Sequence, residues 1–235
     1  MKIVKYYHHR GEIEDLSRRH SAFEEFKSTV GRGVWHKWTD SDTKEISCEK
    51  MVIFVGKTGY GKSTTVNAIS GTDYFQTSDV SSCTRVCQCI DYQVRGKYWL
   101  SLGDLPGVGE NQARDEEYFK LYKDFLGYAS VIVHVIRADA RDYSIDEETT
   151  RRLFKEASIK KRIVYALGQC DKIEPLDRSS GQVPTELQLQ NINRKIAEVK
   201  RVFAPANAVV PYSATTQWNL HSLTSEIVRV ALSVD

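Results

Sequence analysis

The chain has little of what marks a secreted or membrane-spanning protein. Its 235 residues hold five cysteines, Cys48, Cys83, Cys87, Cys89 and Cys170. An odd number in a chain of this size argues against a disulfide framework. The N-terminus, MKIVKYYHHRGEIED, has no apolar run of signal-peptide length. The densest apolar stretch, residues 131–136, falls far short of the roughly 20 residues that a membrane span needs. Charge of one sign is also lacking. The 33 Lys+Arg and 31 Asp+Glu leave a formal net charge of +2, which provides no general attraction for nucleic acid or anionic lipid. There is no internal repeat and no low-complexity tract. The expectation is a cytoplasmic protein without a membrane span, with nucleic acid not indicated.

What is present is ordinary globular composition. Apolar content of 41% and charged content of 27% exclude disorder, a collagen-like repeat and a coiled coil. The length suits one sizeable core rather than two full domains. Residues 12–30 place Ile13, Leu16, Phe23, Phe26 and Val30 at helical spacing, so one N-terminal helix is expected. A connecting loop carrying Trp35 and Trp38 follows. From Met51 the pattern changes to alternating strands and helices. Strands are expected at 51–55, 86–92, 98–102, 131–136, 162–167 and 209–212, and helices at 63–70, 115–126, 146–157, 187–203 and 220–232. The expected fold is α/β, a mostly parallel six-stranded sheet with helices on both faces, over residues 50–235. Residues 1–49 form an N-terminal helical extension and connector. Residues 1–50 hold ten Lys+Arg against nine Asp+Glu, a balance that favours packing over nucleic-acid contact.

The strongest chemical signal is Gly56-Lys57-Thr58-Gly59-Tyr60-Gly61-Lys62-Ser63, which fits G-x-x-x-x-G-K-[ST] between a strand and a helix. Its glycines let backbone N–H groups face phosphate oxygens, and the helix N-terminus adds partial positive charge. Residues 56–64, with Thr64 closing the run, are the expected phosphate cradle. Lys62 reaches the β- and γ-phosphates, and the Ser63 hydroxyl ligates Mg²⁺. The second signal is Asp104-Leu105-Pro106-Gly107 after a strand. Asp104 is placed to hold Mg²⁺. The Gly107 N–H is placed to meet the γ-phosphate and move when it leaves. The third is Asp171, in Gly168-Gln169-Cys170-Asp171-Lys172, also after a strand. A carboxylate there accepts from guanine N1–H and N2–H₂ and rejects adenine. The fourth is Ser213-Ala214, after the last strand, resembling the loop whose backbone N–H meets guanine O6. Gln169 and Lys172 complete the base-binding set. All four signals fall at C-terminal ends of strands, where open α/β sheets bind ligands.

With these motifs in order, the chain resembles the Era-like GTPases of the translation-factor-related superclass. The stretches GKTGYGKSTTVNAISG, SDVSSCTR, GDLPGVGE and GQCDKIEP are similar to prophage-associated GTPases of the YfjP/YeeP type. GKTGYGKST also resembles the immunity-associated GIMAP GTPases. The resemblance runs from about Lys50 to the C-terminus. It implies the P-loop G-domain fold, GTP and GDP as ligands, Mg²⁺, and a switch threonine. By analogy Thr84 supplies its hydroxyl to Mg²⁺ and its N–H to the γ-phosphate.

Three departures qualify that implication. Gly168 stands where Asn is usual and Gln169 where Lys is usual. The Asn amide normally contacts guanine N7 and ties its loop to the P-loop, and losing such a contact costs roughly 1–2 kcal/mol. Val108 stands where a water-orienting Gln is found in Ras-like proteins. Gly59 stands where some Era-like enzymes hold potassium through Asn. Arg85, Glu110, Asn111 and Gln112 are the candidates for the missing catalytic help. Era carries RNA-binding structure after its G domain, whereas this chain ends just after the closing helix, so RNA binding is not expected. The reading is therefore a slow GTPase, with Lys62, Thr84 and Gly107 as catalytic groups and Ser63, Thr84 and Asp104 as metal ligands. Its switches, at 77–85 and 108–117, signal to a second copy or to another protein. The alternatives are a nucleotide-binding interaction module with little hydrolysis and an ATP-using phosphotransferase. The spacing of Cys83, Cys87 and Cys89 does not suit zinc.

Overall fold

The structure, a computed structural model, describes residues 5–39, 44–75, 86–175 and 183–233. Its centre is the strand β3 (Ile46–Val55). Around it lie β4 (Cys87–Arg95), β5 (Tyr98–Asp104), β6 (Ala129–Arg137), β7 (Ile163–Gly168) and β8 (Val209–Pro211). These correspond to the six expected strands. The N-terminal segment adds two more, β1 (Lys5–Glu12) and β2 (His36–Thr39), so the sheet has eight strands rather than six. The order is β1-β4-β5-β3-β6-β7-β8, with β2 paired to β3. β4–β5 and β2–β3 are antiparallel and every other pairing is parallel.

The helices are α1 (Ile13–Arg19), α2 (Glu25–Ser28), α3 (Lys62–Ser70), α4 (Gln112–Leu126), α5 (Ser144–Leu153), α6 (Ala157–Lys160), α7 (Glu186–Phe203) and α8 (Leu220–Ser233). Side chains alternate across each strand, which divides the apolar residues into two cores. Val52, Phe54, Val131 and Val133 face one core with α3 and α8. Met51, Ile53, Val55 and Ile132 face the other with α4 and α7. The short P-loop helix and the following α4 therefore cover opposite faces of β3, which has β5 on one side and β6 on the other. That division opens a crevice at the C-terminal end of β3.

The N-terminal segment departs from its sequence pattern. A single helix over 12–30 is not formed. His20 adopts an extended backbone, φ −137° and ψ 98°, and ends α1. A 3-10 turn (Ser21–Glu24) and α2 follow. Even so, Ile13, Leu16, Phe23 and Phe26 are all fully buried, because the chain bends to bring each to the core that α3 and α8 share. The expected loop over 31–50 instead contains β2 and the first half of β3. Trp35 is anchored there by its indole N–H on the Arg32 carbonyl at 2.9 Å and by an edge-on contact with Tyr98. In α7 Ile192 and Val199 are buried and Ile196 and Phe203 pack against the same core, with one apolar residue left out of that face. Leu189 is exposed while Gln188 is buried, because Thr185 and Gln188 form a reciprocal capping box and Gln188 also donates to the Ile173 carbonyl.

This packing makes one stability prediction. Truncating Phe23 to Ala is expected to cost about 3–5 kcal/mol, as for other buried aromatics. For a domain of this size that is a fall of roughly 10 °C in thermal midpoint. An unchanged midpoint would show that the N-terminal segment is not part of the folded core.

Candidate nucleotide-binding site

The site is built from the loops that leave the sheet. Gly56, Gly59 and Gly61 take φ values of 137°, 79° and 87°, which lets residues 56–61 curl back before α3 begins at Lys62. Inside the curl lies the Lys62 side chain. Its Nζ donates to the carbonyls of Gly56 and Lys57, each at 3.1 Å. Burial holds this ammonium below the ordinary lysine value, opposed by Asp104, Asp146 and Glu110 nearby. Ser63 Oγ donates to Asp104 Oδ2 at 2.6 Å, and Asp104, the last residue of β5, is fully buried. His134 is buried in β6 and lies 3.1 Å from Asp146.

The second loop is laced to the first. Thr58 N–H donates to the Val108 carbonyl at 2.9 Å, and Val108 N–H to the Gly56 carbonyl at 3.4 Å. Thr58 Oγ1 donates to the Gly107 carbonyl at 2.9 Å. The approach at Gly107 is so close that a Cβ there would fall 2.6 Å from Thr58 Cα. Val108 is 1% exposed and packs into the core on the α4 side. Its side chain therefore does not point where water would be oriented. Of the candidates for catalytic help, Asn111 caps α4 by accepting from Arg114 N–H, and Gln112 opens that helix. Glu110 accepts from Arg114 Nη1 at 2.7 Å and lies 3.4 Å from Thr58 Oγ1.

The base-side loops come from β7 and β8. Gln169 leaves β7 with φ 59° and leads into a single 3-10 turn, Cys170–Lys172. Asp171 Oδ1 is buried and has no hydrogen-bond partner among the described residues. The Gln169 amide bridges two neighbours. Its Nε2 donates to the Gly59 carbonyl at 3.4 Å and its Oε1 accepts from Lys172 Nζ at 2.9 Å. After β8, Ser213 is buried, its N–H on the Trp218 carbonyl and its Oγ accepting from Thr216 N–H. Ala214 follows it in the same loop. Burial pushes the Cys170 thiol up to about 12, so it is inert beside this site. Tyr212 and Thr65, which no motif singled out, meet beneath the base loop with their hydroxyls 2.7 Å apart. No signal along the chain links the two; it is the structure that sets Tyr212 against Gly168.

The structure thus brings Lys62, Ser63, Asp104 and Gly107 to one crevice with the P-loop, and places Asp171 and Gln169 beside it. Thr84, Arg85, Cys83 and the expected switch at 77–85 lie outside the described residues. Cys87 and Cys89 are buried in β4. Among the described residues no group of three or more His, Cys, Asp or Glu stands ready to hold a metal by itself. A hydroxyl and a buried carboxylate side by side are hard oxygen donors, which suits Mg²⁺ shared with phosphate oxygens. Among the same residues no helix is long and apolar enough to cross a membrane.

Residues 51–168 match the family described as 50S ribosome-binding GTPase. The chain belongs to this GTPase family. Among its relatives are two proteins of Escherichia coli K12. YkfA is 36% identical and YfjP 35% identical over 181 residues, which is 77% of this chain and 62% of each relative. The chain therefore spans less than two thirds of their length. Solved structures of other GTPases share the fold. Era in complex with MgGDPNP and a 16S ribosomal RNA segment superposes with a TM-score of 0.63 at 24% identity, over 77% of this chain and 56% of that one. Toc33 of Arabidopsis thaliana with Mg²⁺ and GMPPNP gives 0.62 at 17% identity, over 93% and 91%. The GTPase family accounts for the order of the motifs and for the P-loop fold, and GTP binding is the activity it carries.

Proposed function

We propose that this GTPase-family chain binds GTP and GDP with Mg²⁺, hydrolyses GTP slowly, and signals its nucleotide state to a protein partner. Residues 50–235 are the nucleotide-binding unit in this reading, and residues 1–49 are an appended segment. The observation that carries the guanine preference is Asp171 Oδ1, a buried acceptor with no hydrogen-bond partner among the described residues, beside the P-loop. A carboxylate left so is costly in an empty protein and is satisfied by a base that presents two donors.

Each group then has a role. Gly56, Lys57, Thr58, Gly59, Tyr60, Gly61 and Thr64 surround the phosphates, and Lys62 neutralises their charge. Ser63 and Asp104, with Thr84, would hold Mg²⁺, which supplies further neutralisation of charge at the β- and γ-phosphates. Gly107 sits where its N–H meets the γ-phosphate. Its carbonyl is tied to Thr58 Oγ1, so loss of that phosphate is felt along 107–117. Gln169, Lys172, Ser213 and Ala214 border the base. Slow hydrolysis follows from Val108, whose side chain is in the core and apolar. Water attack is left to charge neutralisation and backbone donors. The same burial favours the second reading, an interaction module with little hydrolysis.

Calorimetric titration separates nucleotide classes. GTP and GDP are expected to bind at least about 100-fold more tightly than ATP, the worth of two charge-assisted hydrogen bonds. Equal affinity for GTP and ATP would overturn the guanine reading. Single-turnover hydrolysis is expected well below the roughly 1 s⁻¹ lower end of ordinary enzymes. A rate that climbs with protein concentration would show that a second copy supplies the missing group.

A further inference from the structure

The glycine at 168 has a structural counterpart. A Cβ on Gly168 would lie 3.0 Å from Tyr212 Oη and 3.1 Å from Tyr212 Cζ. The phenol occupies the space that a side chain at 168 would need. Tyr212 is fully buried, and burial keeps its hydroxyl protonated well above the ordinary tyrosine value. Its oxygen lies 2.7 Å from Thr65 Oγ1, and Thr65 Oγ1 lies 2.7 Å from the Gly61 carbonyl. A carbonyl has no proton to give, so the Thr65 hydroxyl donates to Gly61 and the Tyr212 hydroxyl donates to Thr65. The two bonds run in one direction and reinforce each other. They end on the peptide whose N–H belongs to Lys62, inside the P-loop. The main chain of Tyr212 meanwhile brackets the base loop. Its N–H donates to the Leu167 carbonyl at 2.9 Å, and its carbonyl accepts from Cys170 N–H at 3.1 Å.

We infer that Tyr212, acting through Thr65, is the positioning residue that couples the base loop to the phosphate loop in place of the absent Asn side chain. Asp171 then supplies the carboxylate that accepts from guanine without an Asn beside it. The inference rests on the guanine-nucleotide reading above. It explains why glycine occupies position 168 in this chain. The coupling passes beneath the nucleotide through a buried hydroxyl pair, whereas an Asn at 168 would reach the P-loop from the strand end.

The test is the equilibrium affinity and release rate of a fluorescent GDP analogue with the full chain and Mg²⁺. Tyr212→Phe and Thr65→Val are each expected to weaken binding about tenfold, as one buried hydrogen bond does. Combined, they are expected to be no worse than either alone, because both break the same link. Thr65→Ser keeps the hydroxyl and is expected to bind as the unaltered chain does. Gly168→Asn, which restores the usual residue, is expected to weaken binding, and pairing it with Tyr212→Ser to recover it. Thermal midpoints of the nucleotide-free variants separate a lost link from a lost fold. Should Tyr212→Phe fail to fold, the Thr65→Val and Thr65→Ser comparison carries the test. Unaltered binding by Thr65→Val, additive losses in the double variant, or tighter binding by Gly168→Asn alone would each overturn the coupling. An unaltered chain that takes up no GDP would overturn the nucleotide reading instead.

Discussion

Lys62→Met is expected to weaken GTP and GDP binding by roughly 100-fold and to slow single-turnover hydrolysis by a further 10²–10³. The reason is the way the P-loop holds this residue. Lys62 is 6% exposed, and among the described residues its ammonium bonds to the carbonyls of Gly56 and Lys57 within the loop. Its buried charge is disfavoured in the empty protein, as its lowered pKa records. Phosphate oxygens reverse that cost, and more so as charge builds on the γ-phosphate during transfer. Met has a similar reach and no charge, so it removes that differential and leaves the packing. Met removes the desolvation cost of the buried charge but leaves the Gly56 and Lys57 carbonyls without this donor, so the two effects oppose each other. The thermal midpoint of the nucleotide-free variant is therefore expected to move by only a few degrees. A Met variant that binds GDP like the unaltered chain, by calorimetry, would show that Lys62 does not face the phosphates.

Asp171→Asn is expected to lower affinity for guanine nucleotides by at least about 100-fold while raising it for xanthine nucleotides. The Asp171 carboxylate offers only acceptors, which match the N1–H and N2–H₂ donors of guanine. The amide of Asn offers one donor and one acceptor. Xanthine presents a carbonyl at C2 in place of the amine and keeps N1–H, so it matches the amide. The buried Asp171 Oδ1 has no partner to lose among the described residues, and the substitution leaves the hydrogen bonds of the loop backbone in place. The measurement is displacement of a fluorescent GDP by unlabelled GDP, XDP and ADP. A variant whose order of preference is the same as that of the unaltered chain would remove Asp171 from the base site. If the preference shifts while Lys62→Met fails for every nucleotide, the two ends of the site are separately assigned.

Much of the fold was legible because its elements carry local signals. The run at 51–55, the glycine-rich turn and the helix stopped by Gly71 all appear as the spacing predicts, with Gly71 in the left-handed conformation at the C-cap. The motifs at 104–107 and 168–172 fall at the ends of β5 and β7, again as expected. Where the reading failed, the deciding contact was remote. The N-terminal strand β1 is held by pairing with β4, some eighty residues onward, with Lys5 opposite Cys87. Its polar, aromatic sequence has neither the alternation nor the flanking turn that marks a strand. The break at His20 was hidden because Ile13, Leu16, Phe23 and Phe26 keep helical spacing even though the backbone between them does not. Leu189 is exposed at the start of α7 because its neighbour Gln188 turns inward to close the capping box and reach the Ile173 carbonyl.

The candidate site divides along the same line. The family was legible along the chain, and so were the candidate phosphate and base residues, because such recognition needs particular residue types at short, fixed spacings in one segment. What joins those segments is a matter of packing. Val108 is withdrawn into the core by its bonds to the P-loop, and Gln169 reaches Gly59 across the crevice. Tyr212 meets Thr65 across 147 residues of sequence. A hydrogen bond between buried hydroxyls depends on how two strands and a helix pack together, and no pattern along the chain records that distance.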